Sequence, residues 1–102
     1  MAERVNPAEI RLATTFGKVR PVLVLWVDDE KESCLVVALT TSRVIEPRLY
    51  IGSVTGDSRQ SYVSASVSRV PTPHLTHRPP IGCVGAASMA TVVAWIKAEI
   101  DL

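Results

Sequence analysis

Apolar residues in this chain gather in two unbroken runs, then in a looser alternation, and last in a helical stripe. The first run is Pro21-Val22-Leu23-Val24-Leu25-Trp26-Val27 and the second is Ser33-Cys34-Leu35-Val36-Val37-Ala38-Leu39-Thr40. Both are short, rich in β-branched residues and separated by a charged stretch at 28–32, so they predict two strands of one hairpin. Runs with no polar alternation belong to strands buried on both faces, as in a compact barrel. Ahead of them, Glu9-Ile10-Arg11-Leu12-Ala13 alternates like a half-buried strand. A helix starting at Asn6, with Pro7 in its first turn, fits the same short segment. Residues 14–19, with Gly17, make a short connection, and residues 1–8 read as a loose, flexible N-terminal arm.

The second half is less regular. Leu49-Tyr50-Ile51 is a short strand candidate, and Gly56-Asp57-Ser58 marks a turn. Tyr62, Ser64, Ser66 and Ser68 alternate with Val63, Ala65, Val67 and Arg69, the period of a strand with a hydroxyl-rich face. Pro71, Pro73, Pro79 and Pro80 make the next segment a stiff loop that a sheet interior does not accept, and residues 81–84 allow a last short strand. From about Gly85 the period changes: Met89, Val92, Val93, Ile96 and Ile100 form one apolar stripe of a helix, with Lys97 and Glu99 towards water. Gly85 or Ser88 fits its N-cap. The elements predict a mainly β domain over residues 9–102, a small barrel with a C-terminal amphipathic helix.

Composition narrows the picture. The chain has 102 residues, 47% of them apolar, which suits one packed core and excludes intrinsic disorder. A net charge of +1 gives no global basic field, so an anionic partner needs a local patch. No apolar run approaches the roughly 18 residues that cross a bilayer. The first residues lack the basic and apolar regions of a secretion signal, which predicts a cytoplasmic protein with no membrane partner. Cys34 and Cys83 each sit in an apolar stretch, as reduced thiols packed like small hydrophobes do. No CxxC pair or Cys/His cluster has zinc spacing, so neither metal nor cofactor is expected.

The order of elements carries a resemblance. Lys18-Val19-Arg20-Pro21 leads into aliphatics, the second strand ends Ala38-Leu39-Thr40-Thr41-Ser42, a later strand opens at Ser61, and Ile81-Gly82 precedes the amphipathic helix. In this, residues 9–100 resemble the MazF/PemK toxins, SH3-like barrels of the Kid/CcdB kind. The Arg-Pro segment together with the Thr-Thr-Ser strand end is the more specific part. The resemblance implies a toxin of a type II toxin–antitoxin system: a metal-independent endoribonuclease of single-stranded RNA that forms a homodimer and is neutralised by a cognate antitoxin. It implies Arg20 and Thr40 as active-site residues, with their neighbours Thr41 and Ser42 sharing phosphate contacts. Arg69, which follows the serine face, reads as a solvent-facing cation, with RNA contact the alternative.

Such a pair has a chemical reason. Metal-free RNA cleavage moves the 2′-oxygen onto phosphorus, and charge grows on the non-bridging oxygens. A guanidinium offers a planar fork of donors to those oxygens, and a nearby hydroxyl orients the phosphate. A group must still remove the 2′ proton and another protonate the leaving 5′ oxygen. Several family members place an acidic residue, and some a basic one, on the later strand. Here those positions are Ser66 and Ser64, and the short loop before Arg20 has no His. The alternative is therefore a barrel that binds RNA or an antitoxin without turnover.

Other residues have blander readings. His74 and His77 are the only side chains with an unperturbed pKa near neutrality; they replace the missing acid and base if their loop folds over Arg20, and are an exposed pair without a role otherwise. Arg43 and Arg48 read as solvated loop cations. Trp26 and Trp95 read as core or dimer-interface residues, and for Tyr50 and Tyr62 packing is the commoner fate and base stacking the alternative.

Overall fold

The two apolar runs form the middle of one sheet. The computed structural model describes residues 4–15, 17–40, 48–52 and 61–100. Its elements are β1 (Glu9–Thr15), β2 (Lys18–Asp28), β3 (Ser33–Thr40), β4 (Arg48–Gly52), β5 (Ser61–Pro71), β6 (Gly82–Cys83) and α1 (Ala86–Ile100), with a 3-10 turn at Thr72–Leu75. The strands lie in the order β4-β5-β3-β2-β1-β6, each antiparallel to its neighbours, and the sheet curls into a half-barrel. The expected mainly β fold with one C-terminal helix is what forms. Segment 9–13 is a strand, not a helix; the expected turn at 56–58 lies outside the described residues.

Burial on both sides of β2 and β3 gives the sheet two apolar layers. On the first face Ala13, Val22, Val24, Cys34, Val36 and Val70 pack with Val5 and Leu75. On the second face Ile10, Leu23, Val37, Leu39 and Val63 pack with Val84, Val92 and Ile96. Strand alternation sends even-numbered residues of β3, and of β2 as far as Val24, one way and odd-numbered ones the other; beyond the register shift Val27 packs on the first layer, so each apolar run supplies both layers. The helix covers the second face, its stripe residues Val92 and Ile96 buried. Lys97 is exposed as expected, whereas Glu99 is half-buried.

Two irregularities shape the sheet. The β2–β3 register shifts between Val24 and Trp26, placing Trp26 opposite Leu35. Trp26 then stands 60% exposed, which removes it from the core, while Trp95 packs against the second layer. The β3–β5 register shifts between Val37 and Leu39, which pair with Val67 and Val63. Ser64, Ala65 and Ser66 therefore face Ala38 alone. A bulge of this kind bends and twists its strand, and the backbone N–H of Ser66 donates to Ser64 Oγ at 3.2 Å.

The N-terminal segment differs from the loose arm expected of it. Val5 is buried within the first layer. Ala8 N–H donates to the Val24 carbonyl at 2.9 Å, and Val84 N–H to the Ala8 carbonyl at 2.9 Å. Arg11, 1% exposed, explains the docking. Its guanidinium pairs with Glu9 at 3.1 Å and donates to the carbonyls of Arg4 (3.1 Å), Leu75 (3.4 Å) and Arg78 (3.2 Å). A buried guanidinium is tolerable only when its donors are satisfied, and these acceptors come from three segments of the chain. Arg11 thereby ties the arm and the 3-10 turn to the first face.

Candidate active site

Arg20 and Thr40 sit on adjacent strands at the same end of the sheet. The β2–β3 ladder pairs Val24 with Val36, Leu23 with Val37 and Val22 with Ala38. Continued by two residues, that register sets Arg20 opposite Thr40. Both belong to the first face: Ala13, paired with Arg20 across β1–β2, is a member of the first layer, and Leu39, the chain neighbour of Thr40, belongs to the second. Arg20 and Thr40 each lie two residues beyond the last β2–β3 pair, Val22 with Ala38, so a guanidinium and a hydroxyl extend from one end of the same face.

The corner is open. Arg20 and Ala38 are exposed and Thr40 is half-buried. Among the described residues no hydrogen bond or ion pair engages the Arg20 guanidinium, so its planar fork of donors faces solvent, ready for an oxyanion. On the next strand Thr40 pairs with Tyr62, which pairs in turn with Tyr50 of β4. The row across the sheet thus reads Ala13, Arg20, Thr40, Tyr62, Tyr50. Beside it, exposed Ser66 and Ser68 and half-buried Ser64 line β5. The hairpin before Arg20 is tight: Thr15 pairs with Lys18, and the positive φ of 76° at Gly17 suits a two-residue loop.

Other candidates fall elsewhere. Thr41 and Ser42 lie outside the described residues, as does Arg43. Arg69 is opposite Leu35, five residues down β3 from Thr40 and on the second face, roughly 17 Å along the strand. Its guanidinium, 46% exposed, donates to Ser33 Oγ at 2.6 Å and lies 3.5 Å from Asp28. The structure does not bring it to the corner. His74 and His77 lie on the segment that follows β5. It begins where Pro71 meets Ser33 and Thr72 N–H donates to the Glu32 carbonyl at 2.9 Å, then crosses the first face to β1, where the Leu75 and Arg78 carbonyls accept from Arg11 and Ile81 N–H donates to the Ile10 carbonyl at 2.9 Å. Both histidines are exposed.

The chemistry available at the corner is therefore one cation and several hydroxyls. Among the described residues no three of His, Cys, Asp and Glu cluster as metal ligands. The described carboxylates lie at 9, 28–32 and 99, and none falls in the row of Arg20 and Thr40. Cys34 is buried and unbridged, its Sγ 3.5 Å from Thr72 Oγ1, and Cys83 is exposed and unbridged.

No protein-family model and no curated protein matches the sequence. Solved structures do. The Mycobacterium tuberculosis toxin MazF-mt6 is 25% identical, with a TM-score of 0.71 over 92% of this chain and 97% of that one. The MazE–MazF complex of Deinococcus radiodurans is 15% identical, with a TM-score of 0.75 over 94% of each chain. The chain has the MazF toxin fold. An endoribonuclease from a mycobacterial species, solved with its cognate antitoxin, is 16% identical, with a TM-score of 0.73 over 96% of this chain and 94% of that one. Near-complete coverage in both directions means that this chain contains the whole MazF barrel and its helix.

Ala38 is exposed beside the bulge in β5, and Tyr62, for which the sequence offers packing or base stacking, pairs with Thr40. The alternation of its strand puts Tyr62 on one face, but its pairing partner is set by register alone.

Proposed function

We propose that this protein is the toxin of a toxin–antitoxin pair, a metal-independent endoribonuclease of single-stranded RNA that acts at the corner of Arg20 and Thr40. The observation that supports this reading is the β2–β3 ladder, whose last pair, Val22 with Ala38, lies two residues short of exposed Arg20 and of the strand-end Thr40. Arg20 holds the non-bridging oxygens of the scissile phosphate and stabilises the charge that grows there as the 2′-oxygen bonds to phosphorus and the bond to the 5′-oxygen breaks. Thr40 orients the same phosphate. Thr41 and Ser42, next along the chain, extend the phosphate contacts. The named neighbours, MazF toxins and an endoribonuclease solved with an antitoxin, support an antitoxin as the physiological partner. A homodimer as the working unit and the cytoplasm as the place of action complete the proposal. Among the described residues no helix is long and apolar enough to cross a membrane.

Incubating the purified protein with a long single-stranded RNA in EDTA tests the reading. Cleavage is expected, and Arg20→Ala should slow it by about 10²–10³-fold, the cost of removing a preorganised donor to a developing oxyanion. Absence of any product that depends on Arg20 contradicts an enzymatic role.

A second reading is favoured by one specific arrangement. Ser64 and Ser66 occupy the bulge beside the corner, and no described carboxylate falls in the row of Arg20 and Thr40. A corner with a phosphate holder and no described carboxylate fits a barrel that binds RNA, or an antitoxin peptide, without efficient turnover. Salt-sensitive RNA binding that Arg20→Ala weakens, without cleavage, would select it.

A further inference from the structure

We propose that Tyr62 is the base-stacking platform of the corner, holding the nucleobase next to the phosphate that Arg20 and Thr40 bind. The inference rests on the reading above that the corner takes single-stranded RNA, and it names what the corner recognises besides phosphate.

Placement carries it. Thr40 pairs directly with Tyr62 on β5, and the β2–β3 register, carried two residues on from Val22 and Ala38, brings Arg20 to its other side. With roughly 5 Å between the Cβ atoms of opposed residues, a cation, a hydroxyl and an aromatic ring follow one another over two strand spacings. A nucleotide presents the same succession: an anionic phosphate, a ribose, then a flat base. Val63 points into the second layer, so Tyr62 lies on the first face with the guanidinium, and it is half-buried. Ala38, one row inward on β3, is exposed and contributes only a methyl group, which leaves the floor of the corner low. Stacking on an aromatic ring tolerates any base and needs the base unpaired. Tyr62 therefore selects single strands over duplex without reading sequence.

Two probes separate base from backbone: a single-stranded oligoribonucleotide of mixed sequence, and the same ribose–phosphate chain carrying no bases. Tyr62→Leu, which keeps apolar bulk and loses the π-face, should weaken binding of the first by about five- to hundredfold, the range for one base–aromatic stack. It should leave binding of the second unchanged, and Tyr62→Phe should bind both like the wild type. Equal losses on both probes from Tyr62→Leu would overturn the proposal, because a structural role predicts them. So would no loss on either, or a loss from Tyr62→Phe as large as that from Tyr62→Leu, which would assign the role to the hydroxyl. Arg20→Ala should weaken both probes. If neither probe binds the wild type, or Arg20→Ala leaves both untouched, the anion-binding corner itself fails. That result differs from the failure of Tyr62 alone.

Discussion

One face of this sheet has two regions that do opposite things. Over its middle, Val5 and Leu75 close the apolar layer, and Arg11, opposite Val22 on β2, binds the carbonyls of Arg4, Leu75 and Arg78. Two residues further along, the same face carries Arg20 exposed, and β3 ends on half-buried Thr40. Each region holds an arginine. The buried one has its donors matched to fixed protein acceptors, which makes it structural. The exposed one has no such acceptor among the described residues, which leaves its donors for a ligand. Environment, rather than residue type, separates a clamp from a binding group.

Breaking the closed region should cost the most. Arg11→Ala strands Glu9 and three carbonyl groups and should destabilise the fold by about 3–5 kcal/mol in urea titration, a large fraction of a small domain's stability. Arg20→Ala should do the reverse: unchanged unfolding, with RNA cleavage down by the two to three decades expected above. Should Arg20→Ala prove as destabilising as Arg11→Ala, the two regions are not different in kind. Arg69→Ala sharpens the contrast from the second face. Its pair with Asp28 is partly exposed, so the loss should stay under about 1 kcal/mol, with RNA cleavage unaffected. Smallest of all, His74→Ala combined with His77→Ala should leave the cleavage rate at the wild-type value and stability within about 0.5 kcal/mol. A large rate loss there would mean that the acid and base reach the corner by a route this geometry lacks.

How far the sequence foretells this follows from what each feature depends on. The strands β2 and β3 and the stripe of α1 are local patterns, and all three are readable because runs and periods survive in one dimension. The pairing of Arg20 with Thr40 followed from expecting a hairpin between two strands, the simplest long-range contact. Trp26 stands exposed through a register shift at Leu25, set by packing across strands, which removes the core reading and keeps the interface one. Alternation sends Arg69 to the side of Val67, away from the face of Thr40. The path of the histidine segment back to β1 has no local pattern, since its contacts are with Arg11 and Ile10. Arg11 gave no local sign, as two of its acceptors, the carbonyls of Leu75 and Arg78, lie 64 and 67 residues away in sequence.

The most direct measurement is a double-mutant cycle on RNA binding and cleavage with Arg20→Ala, Thr40→Val and the pair. Two groups holding one phosphate should be coupled by about 0.5–3 kcal/mol, the double variant losing less than the sum of the single losses. Losses that add to within about 0.5 kcal/mol would show that the guanidinium and the hydroxyl act on separate things, and the shared corner would have to be abandoned.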